Sequence, residues 1–198
     1  MQQLVNDILD FNKIEAGKLD IHPVEVNLKQ LLVNATLPFY NPVEEKNLKL
    51  IVNIDPELDI TVLIDDVRLI QILNNLISNA LKFTEKGFIK LDVVCDRIDE
   101  LIIEVGFSVE DTGIGIEKEH QKKIFESFWQ VYDKNTRNLI GTGLGLTICI
   151  RLLELMNSSL ELVSEKGAGS TFSFDLTLTR SENPEAHIEG PAHDNEDL

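Results

Sequence analysis

The sequence predicts an α+β fold, a two-layer sandwich in which helices cover one face of a mostly antiparallel β-sheet. Three observations predict it. Segments with alternating apolar residues recur along the chain, segments with helical apolar spacing interrupt them, and their order lacks the regular strand–helix–strand rhythm of a parallel sheet. A chain of 198 residues can bury one sizeable core, so we expect one domain with appendages.

Apolar residues at helical spacing predict the helices. Between residues 4 and 19 they recur mostly every three or four positions, and Gly17 offers a helix stop. Asn27 is expected to cap a second helix, whose end Pro38 and Pro42 make irregular. A third helix has a broad apolar face that we expect to pack on the sheet. This face comprises Leu69, Ile72, Leu73, Leu76, Ile77 and Ala80.

Alternation with a period of two residues predicts the strands. We expect strands at residues 48–55, 89–95 and 101–109, followed by a hairpin that pairs residues 159–163 with 171–178. In the last strand, one face is predicted to carry Phe172, Phe174, Leu176 and Leu178, and the other Ser173, Asp175 and Thr177.

The charge of the chain argues against some functions. The formal net charge is −16, from 34 acidic and 18 basic residues, whereas nucleic-acid binding needs clustered Lys and Arg. We therefore expect no nucleic-acid partner. Residues 181–198 contain no Lys or Arg and almost no large apolar residue, so they are predicted to form an acidic disordered tail or linker.

Cysteine content and hydropathy bear on the cellular location. Cys95 and Cys149 lie in apolar runs, which favours buried thiols over a disulfide or a metal site and fits a cytoplasmic setting. No apolar run reaches the ~18 residues that a membrane span needs. We expect no direct membrane contact from this chain, although a longer parent protein could be membrane-anchored.

Asn75, Asn79 and Lys82 form a second stripe on the third predicted helix. Most such stripes are solvated, but solvated helix faces usually carry Glu, Lys and Gln because Asn is a poorer helix former. The stripe therefore favours a binding site. An amide oxygen suits Mg²⁺, whose remaining ligands can be water and substrate phosphates. We expect Asn79 to bind Mg²⁺, Lys82 to meet a phosphate and Phe83 to lie against a nucleobase.

Two glycine-containing segments follow the stripe. Asp111 leaves a strand into Gly113 and Gly115, and its carboxylate could accept a hydrogen bond from an adenine amino group. Taken alone, this segment would be explained by an ordinary turn, and only the asparagine stripe upstream favours the ligand. Residues 141–146 then open an apolar helix, where free backbone N–H groups could bind phosphate. They lack the Lys-Ser or Lys-Thr of a Walker sequence.

The segment between the glycine runs, residues 117–140, is polar and rich in asparagine. We predict a movable lid that is anchored by Phe125 and Phe128, although a surface helix with aromatics in the core is compatible with the same pattern. Arg137 could reach a terminal phosphate from this lid, or could simply be solvated. Further on, Thr171 is a plausible water-mediated adenine contact, but a plain hairpin turn explains the glycines before it equally well.

In this order and spacing, the segments 75–83, 111–116 and 141–146 resemble the catalytic ATP-binding domain of sensor histidine kinases, a branch of the GHKL family that also holds gyrase-type topoisomerases and heat-shock chaperone ATPases. The resemblance implies a Bergerat-type fold over residues 24–180, with ATP and Mg²⁺ as cofactors. It also implies that residues 1–20 are the end of a dimerisation and phosphoacceptor helix. The residues that it places at ATP are Asn75, Asn79, Lys82, Phe83, Asp111, Gly113, Gly115, Ile116, Phe125, Phe128, Gly141, Thr142, Gly143, Leu144, Gly145, Leu146 and Thr171.

The resemblance also implies a reaction. In relatives that hydrolyse ATP, the position of Asn75 holds a glutamate that activates water; an amide cannot accept that proton, so we expect transfer rather than hydrolysis. Asn75, Lys82 and Arg137 are the expected catalytic residues. Histidine kinases phosphorylate a histidine in a His-Glu or His-Asp motif on the first dimerisation helix. That motif is absent here, because His22, His120, His187 and His193 lack its helical, Pro-containing context.

We therefore expect this chain to be part of a longer kinase, possibly a hybrid one, that works as a homodimer. Its partners would be phosphoacceptor helices of the same or the partner subunit and a response regulator or receiver domain. The rival hypotheses are a GHKL-type ATPase and a non-catalytic nucleotide-binding module.

Overall fold

The computed structural model of the protein describes residues 2–129 and 143–181. In these ranges the helices are α1 (Gln2–Glu15), α2 (Leu28–Thr36), α3 (Tyr40–Glu45), α4 (Asp66–Phe83) and α5 (Gly145–Leu155). The strands are β1 (Val24–Asn27), β2 (Lys49–Ile54), β3 (Thr61–Ile64), β4 (Phe88–Ile98), β5 (Ile102–Asp111), β6 (Glu161–Glu165) and β7 (Gly169–Arg180). Short 3-10 helices span Leu37–Phe39, Pro56–Leu58 and Lys123–Phe125.

The described strands form one sheet with the order β1-β3-β7-β5-β4-β2, and β6 pairs with the first half of β7. Among these strands, only β2 and β4 pair in parallel. The long central strands β4, β5 and β7 run antiparallel to one another, so the predicted mostly antiparallel α+β sandwich is confirmed.

The core lies between the sheet and the helices. The four apolar residues predicted to share one face of β7 are all buried, and Phe174 stacks on its cross-strand neighbour Phe107 with ring centroids 4.7 Å apart. The predicted apolar face of α4 is buried in full. Each buried Leu, Ile or Phe among these side chains stabilises the fold by about 1.5–3 kcal/mol. Because the apolar face of α4 packs in the core, the orientation of the helix is fixed, and so is the position of its polar stripe.

The N-terminal helix α1 docks on this core. Gly17 ends the helical segment with a φ of +61°, which confirms the predicted stop. Phe11 of α1 packs against the core, and the Asp10 carboxylate accepts hydrogen bonds from Arg68 and Gln71 at the start of α4. Two groups of contacts therefore tie α1 to the rest of the fold.

Some elements differ from the expectation. The strands β1 and β3 were not predicted, because four-residue strands are too short to show an alternating pattern. The predicted irregular region at Pro38 and Pro42 folds into a 3-10 turn followed by α3, with Pro38 in the first turn where its missing N–H is tolerated. Cys149 is buried as expected and Cys95 is half-buried; neither forms a disulfide in the described part of the chain.

Among the described residues, no helix combines the length and the apolar character that crossing a membrane requires.

Candidate functional site

The polar stripe of α4 carries amide groups that lack partners. Asn75 is only 7% exposed, yet its Nδ2 has no hydrogen-bond partner among the described residues. Asn79 is half-buried, one turn further along the helix, and makes no side-chain hydrogen bond within the same ranges. A buried donor without a partner costs about 1–3 kcal/mol, so these amides are better explained by a ligand than by the fold alone.

The stripe meets the second glycine segment. Gly145 begins α5, and a Cβ built there would lie 3.3 Å from the Asn75 Oδ1. The capping position before it is Leu144, whose side chain cannot accept from the first N–H groups of the helix. These N–H groups lie beside an unpaired amide, and a helix N-terminus of this kind suits an anion. Leu144 is buried and Leu146 half-buried, so they hold the start of α5 in the core.

Lys82 continues the stripe towards the end of α4. It is half-buried, and burial lowers the pKa of its ammonium group. Its Nζ lies 4.9 Å from the centroid of the Phe83 ring, and no carboxylate of the described residues is within ion-pair distance. A cation without a counter-ion, next to unpaired amides, suits a phosphate group.

Asp111 is the last residue of β5 and is 7% exposed. Its Oδ1 accepts a hydrogen bond from the Gly113 N–H at 2.7 Å. Burial raises the pKa of its carboxyl, against the opposing effect of the backbone N–H groups of Gly113 and Ser170. Ile114 N–H donates to the Phe83 carbonyl at 3.3 Å, so this carboxylate is tied to the end of α4. The predicted segments 75–83 and 111–116 therefore meet at Phe83. The segments 75–83 and 141–146 meet at Asn75.

Gly115 allows the loop after Asp111 to pack closely against the turn between β6 and β7. Gly115 has a φ of +62°, and a Cβ there would lie 1.9 Å from the Glu165 carbonyl oxygen. Ile116 N–H donates to the Ser164 Oγ at 2.9 Å. The structure therefore accounts for Gly115 by its contact with the hairpin, which sequence analysis did not foresee.

Thr171 does not share the face of Asp111. In the sheet, Thr171 pairs with Glu110 and Val163, whose exposed side chains mark the outer face. Ser170 pairs with Asp111 and is buried beside it. The hairpin residue near the carboxylate is thus Ser170. The sequence contained this information, because residues two apart in a strand lie on the same face, and Ser170 therefore shares the apolar face of Phe172.

The segment that precedes residue 130 forms one root of the predicted lid. Phe125 is half-buried against the core, whereas Phe128 is 64% exposed and contacts the Phe11 ring of α1 at a centroid distance of 5.8 Å. Phe125 is therefore the aromatic that anchors this segment. Phe128 N–H donates to the Gly143 carbonyl at 3.0 Å, so the two ends of the interval 130–142 are joined.

Three predicted site residues lie outside the described ranges: Arg137, Gly141 and Thr142. A further polar residue was missed by sequence analysis. Thr84 follows α4 directly and is fully buried, and its hydroxyl has no hydrogen-bond partner among the described residues. Its position directly after the helix that carries the polar stripe was the available signal.

Comparison with known proteins agrees with this geometry. Residues 64–180 match the family described as Histidine kinase-, DNA gyrase B-, and HSP90-like ATPase. Hybrid signal transduction histidine kinase B of Dictyostelium discoideum is 42% identical over 87% of this chain and 9% of its own length. Sensor histidine kinase RcsC of Salmonella typhimurium is 38% identical over 96% of this chain and 20% of its own. The chain therefore spans a fifth or less of these relatives.

Solved structures give the same picture. Full-length ShkA in complex with AMPPNP has a TM-score of 0.76 at 33% identity, over 90% of this chain and 36% of that one. The catalytic domain of histidine kinase ThkA has a TM-score of 0.62 at 26% identity, over 79% of this chain and 97% of that one. The chain belongs to the family of histidine kinase-, DNA gyrase B- and HSP90-like ATPases, as a catalytic domain of the sensor histidine kinase type.

Proposed function

We propose that this domain binds Mg²⁺-ATP and places its terminal phosphoryl group for transfer to a histidine on a dimerisation helix. The observation that carries the proposal is the buried Asn75 amide, unpaired at Nδ2 and set against the start of α5. An amide at this place can orient phosphate and metal-bound water, but it cannot take a proton from an attacking water molecule. Transfer to another group is therefore favoured over hydrolysis.

The phosphate end of the site would be formed by α4 and the N-terminus of α5. Asn79 would hold Mg²⁺ through its amide oxygen, and the ion would neutralise charge on the phosphates. Lys82 would bind a phosphate oxygen as a point charge, supported by the absence of a carboxylate partner within the described ranges. Gly143 and Gly145 would bring backbone N–H groups to the same phosphates, and Arg137 would approach from the lid.

The base end of the site would be formed by Asp111. Its buried carboxylate would accept a hydrogen bond from the adenine amino group, a contact that guanine cannot make because it carries a carbonyl at that position. Phe83 would lie against the base. The carboxylate is already held by the Gly113 N–H, so its orientation is set before the ligand arrives.

The relatives support the proposed partners. Two of them are named hybrid or sensor histidine kinases, which supports a phosphoacceptor helix from the same or a second subunit, a homodimeric parent, and a receiver domain or response regulator downstream. The docking of α1 on α4 through Asp10 and Arg68 fits a stem helix that leads to such a phosphoacceptor. A cytoplasmic location stays a prediction.

A reconstitution experiment tests the proposal. Phosphoacceptor helices from a sensor kinase relative are mixed with the domain and labelled ATP, and acid-labile phosphohistidine is measured. We expect label on the acceptor and slow ATP loss without it. Bound ATP with no phosphohistidine would favour a nucleotide-binding module, whereas steady ATP turnover without acceptor would favour an ATPase. No saturable binding of ATP would exclude all three.

A further inference from the structure

Thr84 is a buried polar residue that the proposed function does not use. It lies directly after α4, and its backbone is fixed because its N–H donates to the Ala80 carbonyl at 3.0 Å. Its side chain is fully buried, and its Oγ1 is one of two buried side-chain polar atoms without a hydrogen-bond partner in the described part of the chain. The other is the Nδ2 of Asn75. A valine would fill the same volume without the free-energy cost of a buried, unpaired hydroxyl. The hydroxyl is therefore better explained by a ligand than by packing.

The surroundings of Thr84 connect it to Asp111. A Cβ built at Gly113 would lie 2.5 Å from the Phe83 carbonyl oxygen and 2.7 Å from the Asp111 Oδ1. The peptide group that links Phe83 to Thr84 therefore touches the loop that holds the carboxylate. The Thr84 hydroxyl also acts to lower the pKa of Asp111, which places it near the carboxyl, although the pair lacks the geometry of a hydrogen bond.

Hydroxyl and carboxylate have complementary capacities. An ionised carboxylate can only accept hydrogen bonds, whereas a threonine hydroxyl can donate one as well. The edge of adenine that carries the amino group presents a donor beside a ring nitrogen that accepts. Asp111 can satisfy the donor but not the acceptor. Because the Thr84 hydroxyl is buried, it can supply the missing donor through one water molecule.

We propose that Thr84 is a specificity-determining residue whose hydroxyl reads the purine edge together with the carboxylate of Asp111. This inference rests on the proposed ATP binding. It adds a second polar contact at the base end of the site, contributed by the end of α4 rather than by the glycine loop. Thr84 would thereby link the helix that holds the phosphates to the recognition of the base.

Two substitutions separate the hydroxyl from the shape of the side chain. Thr84→Val keeps the shape and removes the hydroxyl, and Thr84→Ser keeps the hydroxyl. The full chain is titrated with ATP, with GTP and with the ATP analogue that lacks the amino group, and the unfolding of the nucleotide-free protein in urea is measured in parallel. We expect Thr84→Val to weaken ATP binding about tenfold and to reduce the preference for ATP over GTP, with an unfolding midpoint equal to or above that of the wild type. Thr84→Ser should bind ATP within about twofold of the wild type.

The outcomes distinguish this inference from the proposed function. If the wild type binds ATP and Thr84→Val binds it equally well with the same preference, the hydroxyl does not contact the base, and the proposed function stands. If Thr84→Val destabilises the free protein and weakens ATP and GTP binding equally, Thr84 has only a structural role. A loss of ATP binding in Thr84→Ser, with the hydroxyl retained, also overturns the inference. If the wild type itself binds no purine triphosphate, the proposed function fails first.

Discussion

The two ends of the candidate site are built differently. At the base end, Asp111 has a partner within the protein, because it accepts from Gly113 N–H, and the loop beyond it packs on the β6–β7 turn. At the phosphate end, Asn79, Lys82 and the Nδ2 of Asn75 have no hydrogen-bond or ion-pair partner among the described residues. The proposed base end is thus organised by the fold, except for the Thr84 hydroxyl, whereas the proposed phosphate end has polar groups that the described residues leave without partners.

The largest expected effect is at the phosphate end. Asn79→Asp adds a negative charge where phosphates would bind, so we expect phosphotransfer to fall at least about 100-fold, with weaker Mg²⁺-ATP binding. Formation of phosphohistidine from labelled ATP measures it. Asn74→Asp is the matched control, because it makes the same change on the same helix but off the polar stripe. Equal activity of the two variants would contradict the assignment of Asn79.

The close approach at the base end gives the next effect. Gly115→Ala forces a Cβ to 1.9 Å from the Glu165 carbonyl oxygen at a positive φ, so we expect a loss of unfolding free energy of about 3 kcal/mol or more. Gly167→Ala is the control: its φ is +82°, but nothing lies within 4 Å, so only about 1 kcal/mol of backbone strain is expected. Urea denaturation compares them. Similar losses in both would show that the contact of Gly115 with the hairpin is unimportant.

A smaller effect is expected for adenine recognition. Asp111→Asn replaces a charged acceptor by an amide, so ATP affinity should fall about tenfold to a hundredfold and the preference for ATP over GTP should shrink. Glu110→Gln changes the neighbouring carboxylate on the outer face, where it pairs with Lys90, and should leave both unchanged. Competition binding with the two nucleotides measures this. A preserved preference in Asp111→Asn would sink the proposed base contact.

The smallest effect is a dependence on pH. Because burial raises the pKa of Asp111 in the folded protein, the stability that this group contributes is present at low pH and is lost as the pH rises through the folded-state pKa. The affinity for ATP should depend on pH in the opposite direction, because the ionised carboxylate is the better acceptor of a hydrogen bond from the adenine amino group. We expect ATP affinity to fall a few-fold on acidification, beginning above the ordinary aspartate range of about 4. Titrations between about pH 5 and pH 8 should show this in the wild type and a weaker dependence in Asp111→Asn.

Much of the fold was predictable because local patterns act over a few residues. Asn27 caps α2 and accepts from the Gln30 N–H at 2.8 Å, as its position before an apolar helical run predicts. The apolar face of α4 and the alternation in β5 and β7 are equally direct consequences of side-chain spacing. The four-residue strands β1 and β3 were not predictable, because they are stabilised by pairing with each other and with β7 rather than by their own sequence.

The candidate site was predictable in part. The residue types of the stripe and of the Asp111 loop indicate their chemistry without a structure. Thr171 was predicted as an adenine contact, whereas the alternation of β7, which the sequence contained, puts Ser170 on the face of Asp111. The packing of Gly115 on Glu165 could not be predicted from the sequence. A close approach of two backbone segments requires a glycine, but ordinary turns contain glycine as well.

By itself, the sequence determined the periodicities, the polar stripe of α4 and the order of the glycine segments. Only the tertiary structure decided that Asn75 lies against Gly145 and that Gly113 lies against Phe83. The physical reason is that α4 and α5 pack side by side while each buries its apolar face, which brings together residues far apart in the chain. The local sequence of α4 or of α5 does not determine how close Asn75 lies to Gly145.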